Sequence, residues 1–469
     1  MSHYQKLFFS FCTVLVSSNS AFASDGINGA NLNPIWALPF LGLLVSIAIF
    51  PLLNHHAWEQ HQGKVAIFWS LLLLVPLLVI AGSSETLSAL IHTVFLDYIP
   101  FIVMLLALFT TAGGIVVRGN LHGSPFTNVA ILIIGSLLAS LIGTTGASMI
   151  LIRPLIRAND NRKHNVHVVV FFIFLVSNIG GSLTPLGDPP LFLGFLKGVS
   201  FFWTTLNLYR ETLFVGVIVL AAFIALDTYL HAKEGVELDP TPDSKLRISG
   251  SINFILIGCI IAAVLMSASW KPGVLLTLVG IPLEGQDVAR DGIMILVTLA
   301  SLKLTKSSDR RDNEFGWGPI LEVAKLFSGI FITMIPVIAM LKAGTQGAFA
   351  PLVALVSHAD GTPNPQAYFW LTGILSSFLD NAPTYLVFFE LAGGDAHHLM
   401  GQDTLTLIGI SAGAVFMGAN TYIGNAPNFM VYAIAKDRGV KMPSFFGYML
   451  WSGSILIPTY LLTTFVFFR

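Results

Sequence analysis

The chain is poor in charged residues and in cysteine. Of its 469 residues only 10% are Asp, Glu, Lys or Arg and 54% are hydrophobic, whereas a soluble globular domain has about 25% charged residues. So few charges cannot cover a water-soluble fold, which excludes a soluble enzyme. The net charge of −1 also excludes a basic surface for nucleic acid. The composition therefore predicts a protein whose main partner is the lipid bilayer.

The sequence also lacks the motifs of an enzyme, and its expected mature part lacks a pair of cysteines for a disulfide. The sequence has no phosphate-binding loop, nucleophile triad or dinucleotide fingerprint, so we expect neither an enzymatic activity nor a cofactor. Cys12 and Cys259 are the only cysteines. Because Cys12 lies in a segment that we expect to be removed, no disulfide is expected within the mature chain.

That segment has the features of a secretory signal. Lys6 precedes an apolar run over 7–16, and an Ala-Phe-Ala sequence ending at Ala23 matches a small-x-small cleavage site. The sequence predicts a cleaved signal peptide over 1–23. A retained first helix is the alternative, but the apolar run is short for spanning a bilayer.

Long apolar runs predict an all-α, polytopic membrane protein of about 10–11 transmembrane helices. The runs lie at 34–53, 65–81, 98–117, 168–196, 212–230, 252–269, 293–305, 327–341, 404–435 and 444–468.

Two further apolar segments are interrupted in the middle. The segment 126–156 is broken at Gly143-Thr144-Thr145-Gly146, and the segment 367–391 at Asp380-Asn381-Ala382-Pro383. We expect each half to be too short to cross the membrane, so each segment is predicted to be a re-entrant helical hairpin. With this arrangement Lys and Arg concentrate in the loops assigned to the cytoplasm, which places the first hairpin opening inward and the second outward.

An internal repeat relates the two halves of the chain. An offset of 237 residues pairs the break Asn178 to Pro190, inside 168–196, with a break at 418–427, inside 404–435. Thr144 and Asn381 at the two hairpin breaks share the same offset. Because the hairpins are predicted to open to opposite sides, the halves are predicted to be inverted repeats, over 24–230 and 252–469, joined by a cytoplasmic linker at 231–251.

Polar residues at these four breaks are the candidate binding site. An interrupted helix in lipid leaves backbone groups unpaired, so it is expected only around an ion, a substrate or a water-filled cavity. Neutral oxygens and carboxylates suit a hard cation, and helix N-termini can hold an anion. The candidates are Asp188, Asp380, Thr144, Thr145, Asn178, Thr184, Asn381, Thr384, Asn420, Thr421 and Asn425.

Asp188 and Asp380 favour a cation. A carboxylate at bilayer depth costs about 2.5 to 3.5 kcal/mol and is usually functional. Both are therefore predicted ligands of Na⁺, with H⁺ competing for the same groups. Helix capping is the alternative role, and the two roles are compatible. Arg153, about two turns beyond the first hairpin break, is a candidate contact for an anionic substrate or a carboxylate.

The two motifs resemble those of a known group of transporters. The Asn-Ile-Gly-Gly-x-Leu-Thr-x-x-Gly-Asp stretch from Asn178 to Asp188 and the Asp-Asn-x-Pro-Thr stretch from Asp380 to Thr384 resemble the ion transporter superfamily. Within it they are similar to NhaD/NhaE-type sodium/proton antiporters and to the related CitMHS-type citrate transporters. Dicarboxylate members carry Ser-Asn-Thr at both hairpin tips, which this chain lacks, and this departure favours a cation role for Asp380.

The resemblance implies a homodimer with a scaffold part and a mobile part that carries both hairpins. We expect a secondary transporter of the bacterial inner membrane. Na⁺/H⁺ antiport is the first prediction. A transporter of citrate or another carboxylate, coupled to H⁺ or a cation, is the alternative, and a channel or a membrane scaffold is the third.

Overall fold

The computed structural model describes residues 27–119, 121–234, 245–278 and 280–469. The predicted signal peptide over 1–23, with Cys12, lies outside these residues, as does the middle of the predicted linker. The described part is mostly helical, and nine of its helices are long and apolar enough to cross a membrane. The prediction of a mainly helical, multi-pass membrane protein is therefore confirmed.

The α-helices are numbered along the chain. They are α1 (Leu38–Leu53), α2 (His55–Ile80), α3 (Ser83–His92), α4 (Ile99–Ala112), α5 (Pro125–Ile142), α6 (Thr144–Ala158), α7 (Val166–Leu175), α8 (Pro189–Leu196), α9 (Trp203–Glu234), α10 (Ile252–Ser269), α11 (Gly285–Leu304), α12 (Ser307–Asp312), α13 (Gly318–Lys342), α14 (Ala350–Leu355), α15 (Pro365–Phe378), α16 (Asn381–Leu391), α17 (Ala396–Gly401), α18 (Thr404–Met417), α19 (Ala426–Asp437) and α20 (Phe445–Phe467). A π-helix, Thr93–Tyr98, joins α3 to α4.

Two short antiparallel sheets depart from the predicted all-α fold. Strand β1 (Val116–Arg118) pairs with β2 (Arg247–Ser249), and β3 (Val274–Leu278) pairs with β4 (Ile281–Glu284). Strand β2 lies inside the predicted linker 231–251, so the end of that segment is part of a sheet. Strands of three to five residues carry too little alternating pattern to be recognised in a sequence.

The chain divides into two compact units. The first contains the described residues up to Met104 together with Ala262–Ile295 and Leu321–Ala350. The second contains Leu105–Ile261, Leu296–Ile320 and Pro351–Arg469. Both interrupted hairpins and both broken helices therefore belong to the second unit.

Aromatic rings hold the first unit together between α4 and α13. Phe101 stacks on Phe327 with ring centroids 4.8 Å apart and meets Phe331 edge-on at 5.7 Å. Beside them the Tyr98 hydroxyl donates to the carbonyl of Ala324 at 2.9 Å. Offset-stacked and edge-on pairs are favourable aromatic geometries, so these contacts fix the start of α4 against α13.

Close helix packing builds the second unit. Nine of the ten residues of α7 are buried, as expected for a helix that is apolar on every side. A side chain at Gly413 of α18 would lie 2.5 Å from the backbone oxygen of Phe369 in α15. Small residues at such crossings let two helix backbones approach closely, so glycine sets the spacing of α15 and α18.

The hairpins are two helices each, but one arm is longer than the sequence predicts. Ser124 caps α5 by accepting from the Thr127 amide, Pro125 begins the helix, and it runs unbroken for 18 residues to Gly143. At 1.5 Å per residue this is about 27 Å, so α5 is long enough to cross a membrane, and the prediction that each half is too short is wrong for this arm. The helices α6, α15 and α16 have 15, 14 and 11 residues.

Gly143 at the first hairpin break has a backbone conformation that favours glycine. Its φ is 83° and its ψ 149°, a region that costs other residues about 1 to 3 kcal/mol. We expect Gly143→Ala to lower both the melting temperature and the transport rate per folded molecule. Gly82, with φ 88° and ψ 161°, is the matched control, since a side chain there meets nothing within 4 Å. Gly82→Ala should lower stability alone. Equal loss of transport in both variants would contradict the prediction.

Candidate functional site

Four helices of the second unit begin at the breaks in the two hairpins and the two broken helices. They are α6 and α16 in the hairpins, and α8 and α19 in the broken helices. Proline at the first or second position of α8 and α19 favours a helix start there, since it lacks an amide hydrogen that the first turn would leave unpaired. Side chains at the four starts are bonded to one another around Asp188.

Asp188 lies at the centre of this group. It is 1% exposed. Its Oδ1 accepts from Thr144 Oγ1 at 2.9 Å and from Asn425 Nδ2 at 3.1 Å. Its Oδ2 accepts from Asn381 Nδ2 at 2.5 Å. Within the described residues all three donors are neutral and none is Lys, Arg or His, so this carboxylate is held by hydrogen bonds without a counter-charge.

A second feature of the centre is an unused oxygen. Asn381 is fully buried, and its Oδ1 has no hydrogen-bond partner in the part of the chain that the structure describes. Buried polar atoms are nearly always paired. The amide oxygen of Asn381 and the carboxylate of Asp188 are hard oxygen ligands of the kind that Na⁺ binds.

Amide side chains behind Asp188 pair the freed backbone of the two broken helices. Asn425 Nδ2 also donates to the Ser177 carbonyl at 3.1 Å and to Asn178 Oδ1 at 3.2 Å. Asn178 Nδ2 in turn donates to Asn428 Oδ1 at 2.7 Å. Asn428 Nδ2 donates to the carbonyls of Gly418 and Thr421 at 2.8 and 2.9 Å. These bonds satisfy carbonyl groups that a continuous helix would have paired itself.

The same bonds recur in both halves at the offset of 237. Thr184 Oγ1 donates to the carbonyl of Ser140, and Thr421 Oγ1 donates to the carbonyl of Ser377 at 2.5 Å. Each threonine hydroxyl therefore joins a broken helix to the hairpin that packs against it.

Glycine is required at the same breaks. A side-chain carbon at Gly187 would lie 2.1 Å from the Gly181 oxygen, and one at Gly424 would lie 2.5 Å from the Gly418 oxygen. Real contacts of this kind are essentially never so short, so each break closes back on its own backbone and only glycine fits there.

The other predicted site residues lie around this centre. Asp380 is half-buried and caps α16 by accepting from the Ala382 amide at 3.0 Å, which fits the alternative role in capping. Thr384 Oγ1 donates to the Asp380 carbonyl at 3.0 Å. Asn420 Nδ2 donates to Ser377 Oγ at 2.9 Å, and Thr145 is half-buried beside Thr144.

Arg153 lies away from Asp188. It is nine residues beyond Thr144 on α6, about 13 Å along the helix, and it forms an ion pair with Glu314 at 3.0 Å. Of its two predicted roles, the structure shows the contact with a carboxylate of the protein.

Sequence reasoning missed four residues of this network: Ser140, Ser177, Ser377 and Asn428. Ser140 and Ser377 are 237 residues apart, and each comes four residues before a hairpin position already chosen, so the repeat itself could have identified them. Ser177 and Asn428 have no such signal, because the residues related to them by the offset, Ala414 and Leu191, are apolar. The described residues contain no cluster of three or more His, Cys, Asp or Glu.

The described part of the chain combines nine helices suited to a membrane with helix breaks that converge on a buried carboxylate, and these features define a multi-pass membrane transporter. Comparison with known proteins agrees. The chain belongs to the CitMHS_2 family, described as "Putative citrate transport", whose model matches residues 29–468.

Curated relatives are mycobacterial membrane proteins. Two are named as uncharacterized transporters, one of Mycobacterium bovis and one of Mycobacterium tuberculosis. Each is 26% identical over 329 residues, which cover 68% of this chain and 72% of the relative. A "46 kDa membrane protein" of Mycobacterium leprae is 22% identical over 325 residues, with the same coverage.

Proposed function

We propose that this chain is a secondary transporter of the bacterial inner membrane in which Asp188 binds the coupling cation. The observation that carries the proposal is the environment of this carboxylate: it is buried, it accepts from three neutral donors, and no basic side chain of the described residues bonds to it. A carboxylate in the membrane costs about 2.5 to 3.5 kcal/mol. A bound H⁺ or Na⁺ removes that cost, which makes cation binding the natural role of the site.

We propose Na⁺/H⁺ antiport as the transport reaction. Na⁺ would bind Asp188 Oδ2 together with Asn381 Oδ1, which is buried and has no partner among the described residues. Because the Asn381 amide nitrogen faces Oδ2 at 2.5 Å, this amide rotates as the ion binds. H⁺ would replace it on the carboxylate on the other side of the membrane. Because one site cannot hold both ions, each must leave before the other binds, and that competition couples their movements. Asp380, at the start of α16, is proposed as a second carboxylate for the same ions.

The architecture proposed for this reaction is a pair of inverted repeats over 24–230 and 252–469, with re-entrant hairpins at 126–156 and 367–391. The hydroxyl bonds of Thr184 and Thr421 recur at the repeat offset, and they support this proposal. Both hairpins lie within the second compact unit, which supports their moving as one body. A homodimer stays a prediction from the resemblance.

Transport of citrate or a similar carboxylate is the second candidate. It is favoured by the description of the family and by four helix N-termini at one place, since each carries a partial positive charge that attracts an anion. Under this reading a cation on Asp188 first neutralises the site, and the substrate carboxylate then binds at the helix starts.

Purified protein in liposomes distinguishes the two. Under antiport, addition of Na⁺ or Li⁺, but not choline, collapses an imposed pH gradient, and labelled citrate does not enter. Under carboxylate transport, citrate accumulates and cation addition alone leaves the gradient unchanged. Passive flux that no imposed gradient can drive uphill would indicate a channel and overturn both.

The role of Asp380 has its own test. Asparagine is as good a helix cap as aspartate, so Asp380→Asn keeps the bond to the Ala382 amide and removes only the charge. We expect Na⁺-dependent collapse of the pH gradient to be lost in this variant while its melting temperature is unchanged. Full exchange by Asp380→Asn would show that capping is its only role.

A further inference from the structure

A second polar feature of the second unit lies apart from Asp188. An open cavity of about 360 Å³ is lined by the C-terminal ends of α6 and α19, by strand β1 and by the turn after α12. Its lining includes four arginines, Arg118, Arg153, Arg157 and Arg438, and one carboxylate, Asp312. Thr144 begins α6, and Arg153 and Arg157 lie 9 and 13 residues further on, so these two arginines of the cavity are about 13 and 20 Å from the Asp188 site along this helix.

Three carboxylates compensate part of the charge of these arginines. Arg118 pairs with Asp309 at 2.8 Å and with Asp312 at 2.5 Å. Glu314 pairs with Arg153 at 3.0 Å and also with Arg438. Four guanidinium groups thus meet three carboxylates.

Arg157 is the arginine with donors to spare. In the described part of the chain its guanidinium donates to a neutral acceptor, the Val117 carbonyl, at 2.8 Å. Arg153 also has an unpaired donor. Its side chain is only 11% exposed, and its Nε is buried with no hydrogen-bond partner among the described residues. A guanidinium presents a planar set of donors that matches the oxygens of phosphate or carboxylate, so both groups have donors left for a ligand of this kind.

We propose that this cavity is a binding site for a small oxyanion with phosphate or carboxylate oxygens. The ligand contacts Arg157 and Arg153 and competes with Glu314 for the Arg153 and Arg438 guanidiniums. A concave, arginine-lined surface concentrates anions far better than scattered surface charges do. The oxyanion comes either from solution or as the phosphate of a lipid headgroup.

Two helices, α6 and α19, connect this cavity with the Asp188 site, so anion binding in the cavity can affect that site. The hairpin helix α6 carries Arg153 near its end and Thr144 at its start. Helix α19 begins directly after Asn425 and ends directly before Arg438. Glu314 is ionised at neutral pH: although partial burial opposes it, the hydrogen bond and charge of Arg153 and the charge of Arg438 hold the pKa of this carboxyl below its ordinary value. Its ion pairs therefore connect α6 with the residue that follows α19, and an anion that displaces Glu314 breaks this connection.

The test is binding of inorganic phosphate to the purified full-length chain in neutral-lipid nanodiscs. Arg157→Gln should weaken phosphate binding by about tenfold or more, since a charge-assisted hydrogen bond contributes about 1.5 to 3 kcal/mol. Glu314→Gln should strengthen it, because the competitor loses its charge. Arg311→Gln, a change of an exposed arginine outside the cavity, should alter the affinity less than about twofold, as expected of an isolated surface charge. Asp188→Asn keeps every residue of the cavity and is expected to transport nothing, so phosphate binding by this variant shows the site independently of the proposed transport reaction.

A parallel experiment identifies the source. If the ligand is a lipid phosphate, nanodiscs with phosphatidylglycerol block phosphate binding, and less phosphatidylglycerol co-purifies with Arg157→Gln. If it is free, anionic lipid has no effect. Binding that responds equally to Arg157→Gln and Arg311→Gln, or no binding of either source, overturns the proposal. Should Arg157→Gln fail to fold, Arg438→Gln, at a side chain 43% exposed, replaces it with the same expected direction.

Discussion

Asp188→Asn is expected to abolish coupled transport, with the initial rate falling by about two orders of magnitude or more. Asparagine has the size of aspartate but neither binds Na⁺ as a charged ligand nor exchanges a proton. The fold should survive, because the amide oxygen of the variant can still accept from Thr144 and Asn425. Its new amide group would face Asn381, whose free Oδ1 can accept from it if the amide rotates. The measurement is Na⁺-driven collapse of a pH gradient and citrate uptake in liposomes, at matched amounts of folded protein.

A double variant that moves the carboxylate from position 188 to position 425 tests this prediction further. Asn425 occupies the position 237 residues after Asp188, and the two side chains are bonded at 3.1 Å. The double variant Asp188→Asn with Asn425→Asp keeps one carboxylate in the same small space, so we expect it to recover part of the lost rate. Wild-type transport by Asp188→Asn alone would refute the role of this carboxylate in coupling. Failure of the double variant alone would show either that the carboxylate must stand at position 188 or that the bonds of the Asn425 amide to the Ser177 carbonyl and Asn178 are required.

The largest expected loss of stability follows from a buried ion pair elsewhere in the second unit. Asp227 on α9 is fully buried, and its carboxylate accepts from Arg162 at 2.5 Å, from His167 at 2.8 Å and from Asn128 at 3.0 Å. These residues belong to α5, α7, α9 and the loop before α7. Asp227→Asn leaves the buried Arg162 guanidinium with Glu234, at 3.2 Å, as its remaining counter-charge among the described residues. The expected cost is therefore about 3 kcal/mol, the lower end for a broken buried ion pair. The melting temperature of the variant in detergent should fall by many degrees.

An exposed ion pair serves as the control. Asp312 pairs with Arg118 where both side chains are more than 40% exposed, and such pairs contribute about 0 to 1 kcal/mol. Asp312→Asn should leave the melting temperature nearly unchanged. Equal melting temperatures for Asp227→Asn and Asp312→Asn would contradict this account of the pair.

The places where helices break could be predicted from the sequence. Most of the side chains that pair with the backbone at these breaks could not. Gly143 and the Asp188-Pro189 step are local signals, because positive φ and a missing amide hydrogen end or begin a helix whatever surrounds them. The internal offset of 237 relates Thr144 to Asn381 from the sequence alone. Partners such as Asn428 depend on which carbonyl groups a particular break leaves free, and that is decided by packing.

Long-range charge pairing was also beyond the sequence. Arg153 was assigned either to an anion or to a carboxylate, and its partner Glu314 is 161 residues away. Asp227 and Arg162 were not predicted as a pair, since Asp227 stands near the end of one apolar segment and Arg162 stands in a polar run after another. A single chain has no pattern that joins such residues, because their approach depends on the arrangement of whole helices.

The glycine contacts at Gly187 and Gly424 separate the frame of the site from its lining. Backbone meets backbone there, so the tight turn at each break does not depend on the side chains of Thr144 and Asn381. These two residues can accordingly be exchanged for other small polar residues while the frame stays intact, whereas Asn425 also pairs the Ser177 carbonyl. A few substitutions of lining residues could therefore change the substrate of such a protein during evolution. Ion selectivity could be redesigned in the same way, by altering the lining and keeping the glycines.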